Sequence, residues 1–293
     1  MSSPASMLFC FGLGYSARAL AARLGPDFIV RGTGRHPATP DLLSFGPGKA
    51  FDDAWLEGVT HLLISIPPDA EGDPVLRAAG ESLTRRAGQF AWAGYLSTTG
   101  VYGDHGGGKV DEATPLRPSP GRNAWRVAAE AGWRALQERH GLPLHVFRLA
   151  GIYGPGRNAL EKVLAGTASR IDKPGHLFSR IHVEDIAAVL AASIARPNPG
   201  AVYNVCDDEA ASSADVTAFA AGLLGLPPPP LMKLEEAGLS AMAQSFYRDS
   251  RRVDNRRVRQ ELGVQLAYPT YREGLRALHL GLSGGIARPD TGS

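Results

Sequence analysis

The chain has 293 residues, 44% of them hydrophobic and 20% charged, with a formal net charge of +2. That length is enough to bury a sizeable core in one large α/β domain or two small ones, and so small a net charge argues against nucleic acid or a membrane surface as the main partner. The two cysteines, Cys10 and Cys206, sit far apart in apolar, strand-like runs, so buried reduced thiols are expected rather than a disulfide framework or a metal site.

The first apolar run, residues 7–13, is short and glycine-broken and lacks a basic leader, and no run reaches the roughly 20 apolar residues needed to cross a bilayer. The expected compartment is therefore the cytoplasm. Residues 7–11 predict a strand, 17–24 a helix, 28–30 a second strand and 61–66 a third. Pro67 and Pro68 end that third strand because neither can donate a ladder hydrogen bond. Residues 90–98 predict a fourth strand, 123–139 a long helix rich in alanine and leucine, and 144–149 a fifth strand. Strands spaced by helices imply a parallel sheet covered on both faces. Beyond residue 151 the pattern loosens. Residues 154–156 predict a turn, 186–195 a helix, 201–205 a strand and 214–224 a helix stopped by Gly225 and four prolines. Residues 248–262 predict a very basic helix, and the tail from Ser283 is glycine-rich.

Gly12-Leu13-Gly14-Tyr15-Ser16-Ala17 follows the first strand and opens the first helix. This is the G-x-G-x-x-G/A pattern in its proper setting. The first glycine permits a tight turn, the second lets backbone approach a pyrophosphate, and the small third residue lets helix and strand pack closely. The helix N-terminus then offers free N–H groups to the phosphates. The expected fold is α/β, a Rossmann doubly wound parallel sheet with a smaller C-terminal substrate lobe. Residues 1–150 would form the NAD(P)-binding core and 151–293 mainly the lobe, with some elements returning to the core. Ser65, Ile66 and Pro67, at the carboxyl end of the third strand, are expected on the cofactor side, because ligands bind at that end of parallel strands.

The second strand runs into Val30-Arg31-Gly32-Thr33-Gly34-Arg35 with no acid to hold a ribose 2′-hydroxyl, and Asp27 comes too early. Thr33 and Arg35 could instead meet a 2′-phosphate, Arg35 as a planar fork. NADP is the expected cofactor, with NAD the alternative.

Four later segments carry a family resemblance: Leu96-Ser97-Thr98-Thr99-Gly100-Val101-Tyr102-Gly103-Asp104, Arg148-Leu149-Ala150-Gly151-Ile152-Tyr153-Gly154-Pro155-Gly156, Arg180-Ile181-His182-Val183-Glu184-Asp185-Ile186-Ala187 and Val202-Tyr203-Asn204-Val205. In order and spacing the chain resembles the extended short-chain dehydrogenase/reductases, the NAD-dependent epimerase/dehydratase group, and looks closest to its atypical members. The resemblance covers about residues 7–280. It implies that Thr98 sits beside the substrate oxygen, with Ser97 and Thr99 as neighbours, and that Leu149 and Ile152 line the nicotinamide side. His182 and Asp185 match a motif that joins core to lobe, with a general base the alternative for His182. A small-molecule substrate is implied, and a homodimer packed through the long helix is the usual family arrangement.

The chain departs from the family at one place. Active members carry Tyr-x-x-x-Lys at the start of the long helix. Here the register from Ala129-Glu130 puts Arg122 at the tyrosine position and Arg126 at the lysine position. Arg126 can still hold a ribose. Arg122 cannot replace a phenol, because a guanidinium keeps its proton at neutral pH. Tyr102, Tyr153 and His105 are the substitutes to consider. The function read from the sequence is an NAD(P)-binding oxidoreductase or epimerase/dehydratase-like enzyme, and its alternative is a catalytically silent NADP(H)-binding sensor or scaffold.

Arg248, Arg251, Arg252, Arg256, Arg257 and Arg259 form a basic cluster, and on one helix Arg252, Arg256 and Arg259 would share a face. The cluster could grip a phosphorylated or nucleotide-linked substrate. It could instead be a solvated face paired with Asp249, Asp254 and Glu261, or, least supported, a nucleic-acid contact. The glycine-rich loop 103–109 reads either as a lid or as a surface turn. The histidines are scattered and form no metal-ligand set.

Overall fold

The structure is a computed structural model and describes residues 6–35, 42–238, 244 and 247–284. Its strands are β1 (Ser6–Phe11), β2 (Phe28–Gly34), β3 (Leu42–Ser44), β4 (His61–Ile64), β5 (Trp92–Thr98), β6 (Lys109–Val110), β7 (Leu144–Leu149), β8 (Gly151–Tyr153), β9 (Arg170–Asp172), β10 (Arg180–His182), β11 (Val202–Val205), β12 (Leu231–Lys233) and β13 (Arg252–Val253). The helices are α1 (Tyr15–Leu24), α2 (Pro74–Arg86), α3 (Arg122–His140), α4 (Ala159–Leu164), α5 (Val183–Ala195), α6 (Ser213–Leu223), α7 (Arg256–Leu262) and α8 (Tyr271–Gly284).

Seven parallel strands form the central sheet in the order β11-β7-β5-β4-β1-β2-β3. This is a Rossmann-like α/β fold. Alternate residues of a strand face opposite sides, so β1 feeds both cores. Leu8 and Cys10 pack on one face with Ala17 and Leu20 of α1 and Ile186, Val189 and Leu190 of α5. Phe9 and Phe11 pack on the other with Val75, Ala79 and Leu83 of α2 and Ala129 and Trp133 of α3. The sheet is buried on both sides, which is why its strands read as continuous apolar runs.

After β7 the chain divides its work. β11 returns to the edge of the sheet, and α5 covers one face. A separate apolar cluster forms around Leu160 of α4, Val216 and Ala220 of α6, and Tyr271 and Leu275 of α8. No helix among the described residues is long and apolar enough to cross a membrane.

Two departures from the sequence reading have local causes. α2 was not anticipated, although Asp73 caps it by accepting from Val75 N and Leu76 N, and Pro74 occupies its first turn. Asp73 also accepts from Trp133 Nε1 at 3.0 Å, so the cap ties α2 to α3. Residues 248–262 are not one helix. Arg252 and Val253 pair with Lys109 and Val110 as strand β13, and α7 starts only at Arg256. The ladder partner β6 wins those backbone groups from a helix, so Arg252 shares no helical face with Arg256 and Arg259.

A buried polar network fastens α3 to the sheet. Glu130 and Arg148 are 2% and 3% exposed, and Arg148 Nη2 lies 2.8 Å from Glu130 Oε2. Ser97 of β5 also donates to Glu130, while Arg148 Nη1 donates to Tyr102 Oη at 2.9 Å and Tyr102 donates to Asn204 Oδ1 at 2.7 Å. Removing one partner of a buried pair strands the other charge. Arg148→Met should therefore destabilise the fold by about 3–5 kcal/mol, read as a lower urea midpoint. A loss under about 1 kcal/mol, the range of exposed pairs, would show that the network does not carry this load.

Candidate functional site

The Gly12–Ala17 turn is built from three elements. Gly12 has φ +91°, and a Cβ there would lie 2.7 Å from Ser65 Oγ and 2.9 Å from Ile66 Cγ1. Both the conformation and the close approach of β4 therefore require glycine. Thr33 Oγ1 accepts from Gly12 N at 2.9 Å, and Ser65 Oγ donates to Gly12 O at 2.5 Å. Thr33 is fully buried. The structure thus places its hydroxyl beneath the turn, where it supports the glycine backbone, and leaves it no face toward a 2′-phosphate. Arg35 is exposed just past the end of β2.

Gly14 caps α1 without any side-chain hydrogen bond, and a Cβ on it would meet nothing within 4 Å. Open space therefore lies before uncapped helix N–H groups, which is the geometry that takes an anion. Ala17 is fully buried and lets α1 pack on the sheet. Tyr15 Oη donates to Pro155 O at 2.8 Å and bridges this turn to the 154–156 turn.

A cavity of about 1240 Å³ opens at this edge of the sheet. It brings together Gly14, Tyr15, Ser16 and Ser65 with Thr98, Arg126, Leu149 and Ile152. Gly12, Ala17, Thr33, Arg35, Ile66 and Pro67 lie outside its wall. Thr98 caps the turn that follows β5: its Oγ1 accepts from Gly100 N at 3.1 Å. Arg126 Nη1 donates to Leu96 O at 2.8 Å, which sets the guanidinium against the end of β5. Asn123, one turn earlier, packs so closely on Gly100 that a Cβ there would come within 2.4 Å of its Oδ1. The residues present fit a dinucleotide: open helix N–H groups at one end, a cation and hydroxyls further along.

The far side of the cavity is basic. Arg157, Lys162, Arg180, Arg248 and Arg251 line it, and Arg122 joins Arg126 nearer the sheet. Asp249 is the sole carboxylate among the described lining residues. The basic cluster read from the sequence therefore splits. Arg248 and Arg251 face the cavity, whereas Arg256, Arg257 and Arg259 pair with Asp254, Glu261 and Asp208. Arg252 donates to Gly107 O. The glycine-rich loop is tied down as well: His105 N and Gly107 N both donate to Ser250 O, and Asp104 accepts from Ser250 N.

The alternative proton carriers are engaged elsewhere. Tyr102 is buried in the Arg148 network. Tyr153 lines the cavity, but its hydroxyl approaches Thr270 O and sits where a Cβ on Gly274 would be 2.2 Å away, so it fills a notch in α8. His105 lies against Tyr102 O. His182 caps α5 by accepting from Glu184 N, and burial pushes its pKa down. Asp185 accepts from Ala267 N and Tyr268 N, which joins α5 to the segment before α8.

Behind Arg180 lies Asp207, 3% exposed, whose side-chain oxygens have no hydrogen-bond partner. Burial pushes its carboxyl from an ordinary 3.8 up to about 8, with Arg180 opposing the shift. Between those values the folded chain binds a proton that the unfolded chain has lost, so this group's contribution to stability falls as pH rises. Asp207→Asn removes that dependence. Its Tm relative to wild type should therefore be more favourable at pH 8.5 than at pH 5, and an equal difference at both would refute the burial argument.

Residues 82–206 match the NAD dependent epimerase/dehydratase family. A functionally unknown conserved protein from Silicibacter pomeroyi DSS is 54% identical, with a TM-score of 0.87 over 94% of this chain and 99% of that one. Protein YeeZ of Escherichia coli K12 is 30% identical over 176 residues, 60% of this chain, and the match spans 58% of the relative. MoeE5, solved with UDP-glucose and NAD, shares the fold at 20% identity, with a TM-score of 0.74 over 96% of this chain and all of that one. The family match thus covers residues 82–206, and the chain as a whole has the fold of the solved epimerases and dehydratases.

Proposed function

We propose that the protein binds a nicotinamide dinucleotide, NADP in preference to NAD, and acts as an oxidoreductase or epimerase/dehydratase-like enzyme on a phosphorylated or nucleotide-linked substrate. The observation that carries this reading is the cavity itself, which joins an uncapped helix N-terminus to a wall of cations with one acid among them. Such a wall raises the local concentration of anions and favours phosphate. The cofactor's pyrophosphate would lie at Gly14–Ser16, and Arg126 would hold a ribose. When bound, the dinucleotide supplies a hydride acceptor or donor. Thr98 then donates to the oxygen of the reacting carbon, because Gly100 N already occupies its acceptor side.

The choice of NADP rests on the missing acid at the end of β2 and on Arg35, which is exposed at that strand end. A second reading, a binding protein without turnover, is favoured by Arg122 at the position of the family's phenol. Thr98 separates the two readings: Thr98→Ala should cut turnover by about 100-fold while leaving NADPH affinity within about 2-fold. Full turnover in that variant would remove Thr98 from the chemistry.

Calorimetric titration tests the cofactor assignment. NADPH should bind more tightly than NADH, and Arg35→Ala should weaken NADPH about 10-fold with little change for NADH. Thr33→Val leaves Gly12 N without its acceptor and should weaken both forms alike. Equal losses for both in Arg35→Ala would sink the 2′-phosphate contact.

A further inference from the structure

The cavity contains two hydroxyls that their partners set in opposite senses. Thr98 Oγ1 accepts from Gly100 N, so its own O–H is left to donate. Ser119 Oγ lies 2.8 Å from each oxygen of Asp249 and donates to that carboxylate, so its lone pairs are left to accept. A hydroxyl that donates to a carboxylate is polarised into a better acceptor. Both hydroxyls line the cavity, and Ser119 lies in the loop entering α3, just ahead of Arg122.

Asp249 is held firmly. Its side chain is 8% exposed, and Arg251 Nη1 stands 3.8 Å from it as a charge partner. Its backbone oxygen lies 3.1 Å from His176 Nε2, and Arg251 Nη1 donates to Gly103 O. The tied-down glycine loop clamps Ser250 next door. The acceptor is therefore preorganised by elements distant in sequence.

We propose that Ser119, backed by Asp249, is the proton acceptor that stands in for the family's phenol, with Thr98 as donor, and that the substrate presents a secondary alcohol there. This rests on the function proposed above. Oxidised nicotinamide dinucleotide is the oxidant, and the carbinol C–H leaves with its electron pair to it. The substrate O–H proton passes to Ser119 Oγ as the proton of Ser119 passes to Asp249. The C=O bond forms at the alcohol carbon, and the Asp249 carboxyl then gives its proton to solvent. The reverse sequence delivers a proton to a carbonyl oxygen.

The test uses the full chain with NADP+ and UDP-glucose as probes, with UDP as the sugar-free control. Ser119→Ala and Asp249→Asn should keep NADP+ affinity within about 2-fold, since neither touches the cofactor half. Both should lose about 100-fold in the reduction of NADP+ by UDP-glucose, the scale of a lost general base. The two variants should part in binding. Ser119→Ala should lose about 5-fold of its calorimetric preference for UDP-glucose over UDP, the worth of one hydrogen bond. Asp249→Asn still accepts from Ser119 and should keep that preference. Ser119→Thr, which retains the hydroxyl, should recover most of the turnover. Wild-type turnover in Asp249→Asn overturns the proposal, and so does a wild type that binds NADP+ but neither binds nor oxidises UDP-glucose. A wild type that binds no dinucleotide overturns the proposed function as well.

Discussion

The ion pair of Glu130 and Arg148 is the contact on which the site depends. The cavity takes Thr98 from the end of β5, Arg126 from α3 and Leu149 from the end of β7. Those elements keep a common geometry only if α3 cannot slide along the sheet. The pair lies between α3 and β7, reaches β5 through Ser97, and continues through Tyr102 to Asn204 of β11. Its desolvation is costly, and each polar atom is satisfied by another member of the network. What it contributes is register, which apolar contacts between smooth helix and sheet faces specify less sharply.

The glycine turn is set by the same kind of cross-element bond. Gly12 is held by Thr33 from β2 and by Ser65 just past the end of β4. The N-terminus of α1 is left open because the polar groups around it point at the turn. The opposite side of the cavity is basic, with several guanidinium groups and a single carboxylate among the described lining residues. A ligand with phosphates toward both ends and a neutral reacting carbon between them suits that distribution.

The family match over residues 82–206 makes the departure at Arg122 informative. A guanidinium there cannot exchange a proton at neutral pH, yet the neighbouring wall keeps two hydroxyls in complementary states. Tyr153, one of the tyrosines in the cavity wall, is used for packing α8 and has its hydroxyl turned into the notch at Gly274.

Local patterns were legible in the sequence because they report local physics. The apolar runs of β1, β5 and β7, the turn at Gly12–Ala17 and the absence of an acid at the end of β2 all follow from neighbours along the chain. α2 was legible too, through Asp73-Pro74 at its start and the i, i+4, i+8 spacing of Val75, Ala79 and Leu83. What the sequence could not disclose were choices between local preference and a distant partner. Arg252 and Val253 become a strand because β6 offers a ladder. Thr33 turns inward because Gly12 needs an acceptor. Ser119 and Asp249, 130 residues apart in the chain, form a pair only once the tied-down glycine loop and His176 fix the segment that carries Asp249. The sequence by itself determined the fold class and the Gly12–Ala17 turn, since both rest on short-range periodicity and backbone sterics. Only the tertiary structure decided which side chains share the cavity, because hydrogen-bond partners and burial are set by contacts between residues far apart in the chain.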